Sequence, residues 1–246
     1  SDAQVVVSGS TTSDAGLTFG GSYKINHSAS VEDQGLYISG DFGYVMMGAT
    51  DGVVDGMVSP ILGSDIIDLG AGTTNSASVV NGDTTFGDGG SSSRVGYRSP
   101  NISGLQIGFS MSDAGTASKA DVTAYGVTYA MDMFTLGYAA SSTPNSTGTS
   151  ADVDTTVYGL GASMNGITVA YSAGTDTTAG VGGAADTSKI NTTDFAVAYE
   201  GIEGVTLYYN LVNSEEKKGS NAGDKLDSNA FGATYSITDG VSLMLE

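Results

Sequence analysis

The chain has no cysteine and no tryptophan, a single histidine and only three prolines among its 246 residues. Without cysteine there is no disulfide framework, no thiol nucleophile and no cysteine-ligated zinc or iron–sulfur centre. With His27 as the one imidazole, multi-histidine metal sites are excluded and a histidine-dependent triad has a single residue to build on. Positive charge is scarce as well: 8 Lys and Arg stand against 27 Asp and Glu, a formal net charge of −19. A phosphate backbone attracts Lys and Arg and repels such a surface, so nucleic acid is not an expected partner. Long apolar runs are missing too. No stretch approaches the roughly 20 residues that a membrane-spanning helix needs. No basic segment followed by an apolar run marks an uncleaved signal peptide.

What is abundant is glycine, 37 residues, together with Ser, Thr and Ala, while 39% of the chain is still apolar. Gly, Ser and Thr are weak helix formers, so the composition favours strands. A disordered acidic chain is the rival, and periodicity separates the two. In Leu17-Thr18-Phe19-Gly20-Gly21-Ser22-Tyr23-Lys24-Ile25 each odd position is apolar, aromatic or Gly and each even one small or polar. The same beat runs through Leu105-Gln106-Ile107-Gly108-Phe109-Ser110-Met111, and through segments 134–138, 167–171 and 205–211. Weaker copies lie at 3–8, 35–39, 44–49, 94–98, 122–129, 158–162, 194–199, 231–235 and 241–245, which makes fourteen strands. A period of two puts one set of side chains on each face of a strand.

The connections alternate in length. Short turns are expected at 10–16, 40–43, 99–104, 130–133, 164–166, 200–204 and 236–240, with turn dipeptides such as Asn165-Gly166 and Asp239-Gly240 that reach positive φ cheaply. Longer polar loops are expected at 27–34, 50–93, 112–121, 140–156, 174–193 and 212–229. Short and long in strict alternation describes an up-and-down meander with one trimmed rim and one elaborated rim.

The charges fall on one phase. Lys24, Arg94, Arg98, Asp2 and Asp194 are in step with the small polar set, and the apolar phase of the fourteen segments carries no charge. A lipid-facing Arg or Lys at mid-bilayer costs roughly 2–4 kcal/mol, so a membrane barrel would show this exclusion. A half-buried soluble sheet would show it as well. Aromatic placement discriminates better: Tyr129, Tyr199 and Tyr235 stand on the apolar phase shortly before short turns, the position of an interfacial girdle. Cross-strand aromatic pairing in a sandwich is the alternative.

At these residues the sequence resembles the general diffusion porins of Gram-negative outer membranes, nearest the alphaproteobacterial type. Gly9-Ser10-Thr11-Thr12-Ser13-Asp14-Ala15-Gly16-Leu17-Thr18-Phe19-Gly20 is loosely similar to that family's first clear hairpin. Gly40-Asp41-Phe42-Gly43-Tyr44-Val45-Met46-Met47-Gly48 resembles its Gly-x-Phe-Gly turn, and Arg94-Val95-Gly96-Tyr97-Arg98-Ser99-Pro100-Asn101-Ile102-Ser103-Gly104 its Arg-x-x-Tyr-x-Ser-Pro-x-x-Ser-Gly hairpin. The resemblance implies an all-β fold: a transmembrane antiparallel up-and-down β-barrel of about sixteen strands, wide enough to leave an aqueous channel. About fourteen are present, so the single domain 1–246 is expected to lack a first and a last strand. The resemblance further implies a homotrimer in the outer membrane, in contact with its lipid and lipopolysaccharide, and a loop, 50–93, folded inward as a constriction.

The implied function is passive diffusion of small hydrophilic solutes and ions, without catalysis. The acidic side of the constriction is expected from Asp51, Asp55, Asp65, Asp68, Asp83 and Asp88, and the basic wall from Lys24, Arg94 and Arg98. Ala49 stands where many relatives carry a basic residue, and Asp2 and Gln4 where some carry arginines. Together with the net charge, these departures point to cation preference, screened beyond about 8 Å at physiological salt. No cofactor is expected. Calcium at Asp83 and Asp88 is the one candidate, on the strength of their carboxylates in Asn81-Gly82-Asp83 and Asp88-Gly89-Gly90, although the spacing is not that of an EF-hand. Gly159-Leu160-Gly161 precedes no helix and is no phosphate cradle. Two other readings stay open. A surface-exposed soluble β adhesin would share the composition, but no fixed repeat is present. A substrate-specific porin would line its lumen with aromatics, and only Tyr44 and Tyr208 stand on that phase.

Overall fold

The architecture comes from a computed structural model that describes residues 4–26, 31–50, 52–54, 57, 92–112, 121–144, 152–180, 186–219, 222–238 and 241–245. Fourteen strands follow in order: β1 (Gln4–Thr12), β2 (Thr18–Asn26), β3 (Val31–Gly40), β4 (Gly43–Thr50), β5 (Ser92–Arg98), β6 (Leu105–Ser112) and β7 (Val122–Met131). They continue as β8 (Phe134–Thr143), β9 (Val153–Met164), β10 (Ile167–Thr178), β11 (Ser188–Ile202), β12 (Val205–Lys218), β13 (Lys225–Thr238) and β14 (Val241–Leu245). Each pairs antiparallel with the next, giving one sheet in sequence order. Among the described residues no ladder joins β14 to β1.

The short turns sit at one end of the sheet. Ser103 and Gly104 have φ of 53° and 92°, and Asn165 and Gly166 of 53° and 77°. Two consecutive positive φ values build a turn whose twist matches that of the flanking strands, so the hairpins close without splaying. The turn 99–104 is stapled by its own side chains. Gly104 N donates to Asn101 Oδ1 at 2.7 Å, and Ile107 N donates to Ser99 Oγ at 2.9 Å. Tyr97 Oη reaches across to the Phe42 carbonyl at 2.9 Å and ties this turn to its neighbour. Asp239-Gly240 lies outside the described residues.

At the other end the strands run further than the polar sequence suggested. The loop expected at 212–229 is strand on both sides, β12 ending at Lys218 and β13 starting at Lys225. The loops expected at 174–193 and 140–156 are likewise shortened by β10, β11, β8 and β9. Residues such as Asn213, Ser214, Glu215 and Glu216 looked like loop because they are polar on both phases. No Gly or Pro interrupts them before Gly219, and their backbone groups keep the ladder going. Charges therefore do occur on the outward phase, above the apolar stretch. On β12 that phase reads Val205, Leu207, Tyr209 and Leu211, then Asn213, Glu215 and Lys217. From Val205 to Leu211 is roughly 20 Å along the strand at about 3.3 Å per residue. Beyond it, Glu215 pairs with Lys217 at 2.7 Å and with Lys225 at 3.7 Å. The hydrogen bond from Lys217 holds the Glu215 carboxyl below its ordinary range. Its contribution is present at neutral pH and is lost only as pH falls through that lowered value.

The two faces of the sheet are inverted relative to a soluble protein. Phe19 and Ile107 are 45% and 51% exposed, with Phe109, Leu136, Tyr171 and Phe231 on the same outward face. Val169 and Leu207, half-buried, share it. The opposite face is crowded and small: Ala124, Ala139, Val157, Ala170, Ser110, Ser172, Thr192 and Ala196 are buried. Curvature accounts for the asymmetry, since side chains on the concave face of a curled sheet press on one another. Large apolar groups on the convex face are stable only against hydrocarbon, where the fully paired backbone is obligatory.

Replacing outward-facing Val169 with Arg is expected to destabilise the protein by about 2–4 kcal/mol in vesicles, and the inward neighbour Thr168→Arg by much less. Urea titration of refolding into vesicles measures both.

Candidate pore wall and constriction

The three basic residues expected on the wall all project from the inner face. Lys24 is on β2, opposite Val6 and Asp33, while Arg94 and Arg98 are on β5, opposite Gly48 and Tyr44. Arg94 is buried and Arg98 half-buried. Beside Arg98 stands a stacked pair, Tyr37 and Tyr44, with ring centroids 5.2 Å apart and planes at 27°. Tyr37 adds a third inner-face aromatic to Tyr44 and Tyr208. Its phase could have been read from Leu36 and Ile38, which flank it on the outward side.

The chain leaving β4 turns inward. Gly52, Val53, Val54 and Met57 are buried, and Val53, Val54 and Met57 form one cluster with Ala124 of β7, Ala139 of β8 and Val157 of β9. Val53 N donates to Ser110 Oγ on β6 at 3.1 Å. Gly108 makes room for this packing: a Cβ there would stand 2.7 Å from Met57 Sδ. Gly52 and Val53 also border a small cavity with Tyr44, Met46, Gly96, Tyr97 and Arg98. The start of this long connection thus lies across the inner face of β5 to β9 and narrows the space it encloses. The sequence signal was the apolar set Val53, Val54 and Met57 at the start of a connection read as a polar loop for its aspartates and glycines. Asp51, Asp55, Asp65, Asp68, Asp83 and Asp88 lie outside the described residues, as does His27.

The described acidic side of the wall is made by strands instead. Asp176 on β10, Asp194 on β11 and Glu216 on β12 are on the inner phase, with Asp194 and Glu216 buried. Thr155 Oγ1 on β9 donates to Asp176 Oδ1. Asp176 and Glu216 were missed because their segments read as loop. Among the described residues, β6 to β11 carry no Lys or Arg on the inner phase. The basic strands β2 and β5 and the acidic strands β10 to β12 are far apart in the order of a fourteen-stranded sheet, so curling brings them to opposite sides.

On the outer face, Tyr129, Tyr199 and Tyr235 are 39%, 38% and 51% exposed and point away from the enclosed space near the short turns. Tyr125, Tyr138, Tyr158 and Tyr171 make a second row on the same face, nearer the long connections. Tyr125 and Tyr138 approach to 6.2 Å between ring centroids. Over β1 to β5 the outer surface holds a groove of about 650 Å³, lined by Val7, Gly9, Gly21, Tyr23, Leu36 and Met47 among others.

The family model described as Gram-negative porin matches residues 1–246. A search of curated protein sequences gave no match. Several solved structures share the fold. The anion-selective porin from Comamonas acidovorans is 13% identical, with a TM-score of 0.74 over 98% of this chain and 76% of that one. Salmonella typhi OmpF in complex with daunomycin is 17% identical, with a TM-score of 0.74 over 99% and 81%. The trimer form of Vibrio cholerae OmpT is 12% identical, with a TM-score of 0.71 over 99% and 78%. The likeness establishes a porin-type β-barrel. A wall with methyl groups toward lipid and hydroxyls toward water needs no catalytic residue to work, and the chain belongs to the Gram-negative porins, passive channels of the outer membrane.

Proposed function

We propose that this porin passes small hydrophilic solutes by diffusion and prefers cations. The observation that carries the preference is the acidic inner wall of β10 to β12, Asp176, Asp194 and Glu216, on a chain of net charge −19. A ring or wall of carboxylates raises the local cation concentration, and a low-dielectric surround strengthens the effect. Facing it, Lys24, Arg94 and Arg98 give the opposite sign, so a dipolar solute crossing between the walls is oriented. The anion-selective relative shows that this fold hosts either preference, which makes the charges of this particular wall decisive. Residues 52–54 and 57 set the narrow point, and Tyr129, Tyr199 and Tyr235 act as the interfacial girdle on the short-turn side.

We further propose a homotrimer seated on the outer face of β1 to β5. That face combines a groove floored by Gly9 and Gly21 with exposed Val5, Val7 and Leu36, and the Vibrio cholerae OmpT structure is a trimer. Small outward residues let a neighbouring barrel approach closely. The rest of the outer face, rich in large side chains, contacts lipid and lipopolysaccharide.

In a salt gradient across a planar bilayer, the reversal potential is expected to have the sign of cation preference, and clear anion preference would overturn the proposal. Val54→Asp puts a carboxylate among Ala124, Ala139 and Val157, releases the inward segment and is expected to raise single-channel conductance while the barrel stays heat-modifiable on gels. Gly9→Trp fills the outer groove, and the unboiled oligomer band is expected to dissociate at lower temperature. An unchanged band would remove β1 to β5 from the trimer contact.

A further inference from the structure

Four of the short-turn hairpins end on an apolar pair. Ile102 faces Leu105, Met131 faces Phe134 and Met164 faces Ile167, each the last register pair before a two-residue tip. Ile202 closes on Val205 in the same way, beyond a register shift. Leu105, Phe134, Ile167 and Val205 stand on the outward phase, and register partners share a face, so all four pairs are on the lipid side. Met131 and Met164 are more than half exposed, as is Ile237 on the outward phase of β13.

These side chains lie past the tyrosines of the girdle. Met131 follows Tyr129 by two residues and Ile237 follows Tyr235 by two, roughly 7 Å along a strand at about 3.3 Å per residue. A strand tilt of about 40° turns that into roughly 5 Å of depth. The polar layer on each side of a hydrocarbon core is about 5–7 Å thick, so the closing pairs are still within it.

The backbone of the turns suits such surroundings. Neighbouring turns are tied to one another: Ala130 N donates to the Gly104 carbonyl at 2.9 Å and Ser163 N to that of Met133 at 2.9 Å. Glu200 N donates to the Gly166 carbonyl at 2.7 Å and Ser236 N to that of Gly204 at 2.8 Å. Water would satisfy these groups without help, whereas lipid requires a protein partner for each. Gly104 permits the close approach, because a Cβ there would collide with the Ala130 carbonyl. The four turns carry no Lys or Arg. Their acidic residues, Asp132 and Glu203, are exposed at the tips, where a carboxylate reaches water.

We propose that the closing pairs form an apolar collar docked on the phospholipid of the leaflet at the short-turn end, at the boundary of headgroups and acyl chains. The collar is continuous with the lipid-facing outer surface and goes beyond the tyrosine girdle. Without a cationic residue to draw in anionic lipid, its occupant is zwitterionic phospholipid held by apolar contact. The pore mouth at this end then opens flush with the membrane surface.

The chain has no tryptophan, so one introduced indole reports its own surroundings. The test uses the whole protein refolded into phosphatidylcholine vesicles, with Met131→Trp and Met164→Trp as collar probes, both away from β1 to β5. Tyr129→Trp probes the girdle, and Lys217→Trp, above the apolar stretch of β12, is the reference for water. The collar probes are expected to emit to the blue of Lys217→Trp and to lose intensity several-fold when the lipid carries bromine on the upper acyl chains. They are also expected to resist aqueous acrylamide, with no change on adding salt. Heat-modifiable migration on gels establishes that each variant has folded, and Met164→Trp carries the test if Met131→Trp does not fold. Acrylamide quenching of both collar probes as strong as that of Lys217→Trp overturns the collar and means that the turns stand in water. If Tyr129→Trp is still quenched by brominated lipid, only the collar has failed; if acrylamide reaches it as well, the girdle falls too. Quenching by brominated lipid that appears only when anionic lipid is added also overturns the collar, since headgroup charge would then be what holds the turns.

Discussion

A chain that lies in hydrocarbon cannot leave backbone N–H and C=O groups without partners, and this constraint organises everything else in the molecule. Consecutive antiparallel ladders from β1 to β14 meet it locally, each of β2 to β13 bonding to the strand before and the strand after. Once the backbone is self-sufficient, side chains are free to sort by solvent rather than by core. Period two then splits the chain into a face for lipid, with Phe19, Ile107 and Phe231, and a face for water, with Ser110, Ser172 and Thr192. The low count of Leu-rich runs and the high count of Gly, Ser and Thr follow from having to build a wall one strand thick.

The wall was legible wherever one phase stayed apolar. The segments 17–25, 105–111 and 205–211 carry the alternation openly, and their strands are where the pattern put them. Legibility failed where lipid stops imposing an apolar phase. On β12 past Val212 both phases are polar, and only the absence of Gly and Pro up to Gly219 signals that the ladder continues. Asp176 and Glu216 vanished into supposed loops for that reason. Asp194 was assigned the inner phase, and the register between β11 and β12 places it there, opposite Val212. Tyr37 was recoverable from phase alone, whereas its stacking on Tyr44 required the pairing of β3 with β4. The expected aspartates of 50–93 fall outside the described residues, and the acidic groups described on the passage are those of the wall strands.

Opposed charge and narrowness reach the pore from different parts of the chain. The charges sit on stiff strands, at heights set by hydrogen-bond register, and their separation is set by the curl of the sheet. The narrowing comes from a connection that had to be captured by that wall. Gly108, Ala124 and Ala139 leave the recess into which Val53, Val54 and Met57 fit. Small inner residues are thus a packing requirement as well as a hydration requirement, which explains why alanine and glycine, and not only serine and threonine, occupy this side.

Among the described residues, the methyl contacts of Val53, Val54 and Met57 and the hydrogen bond from Val53 N to Ser110 Oγ hold the start of the inward segment to the wall. Ionic strength barely touches such a fastening, whereas it dims the field between carboxylates and guanidinium groups within about a Debye length. These apolar fastenings and the charge filter of one passage therefore answer to different environmental variables: a saltier medium blurs which ions are admitted while the contacts of Val53, Val54 and Met57 hold.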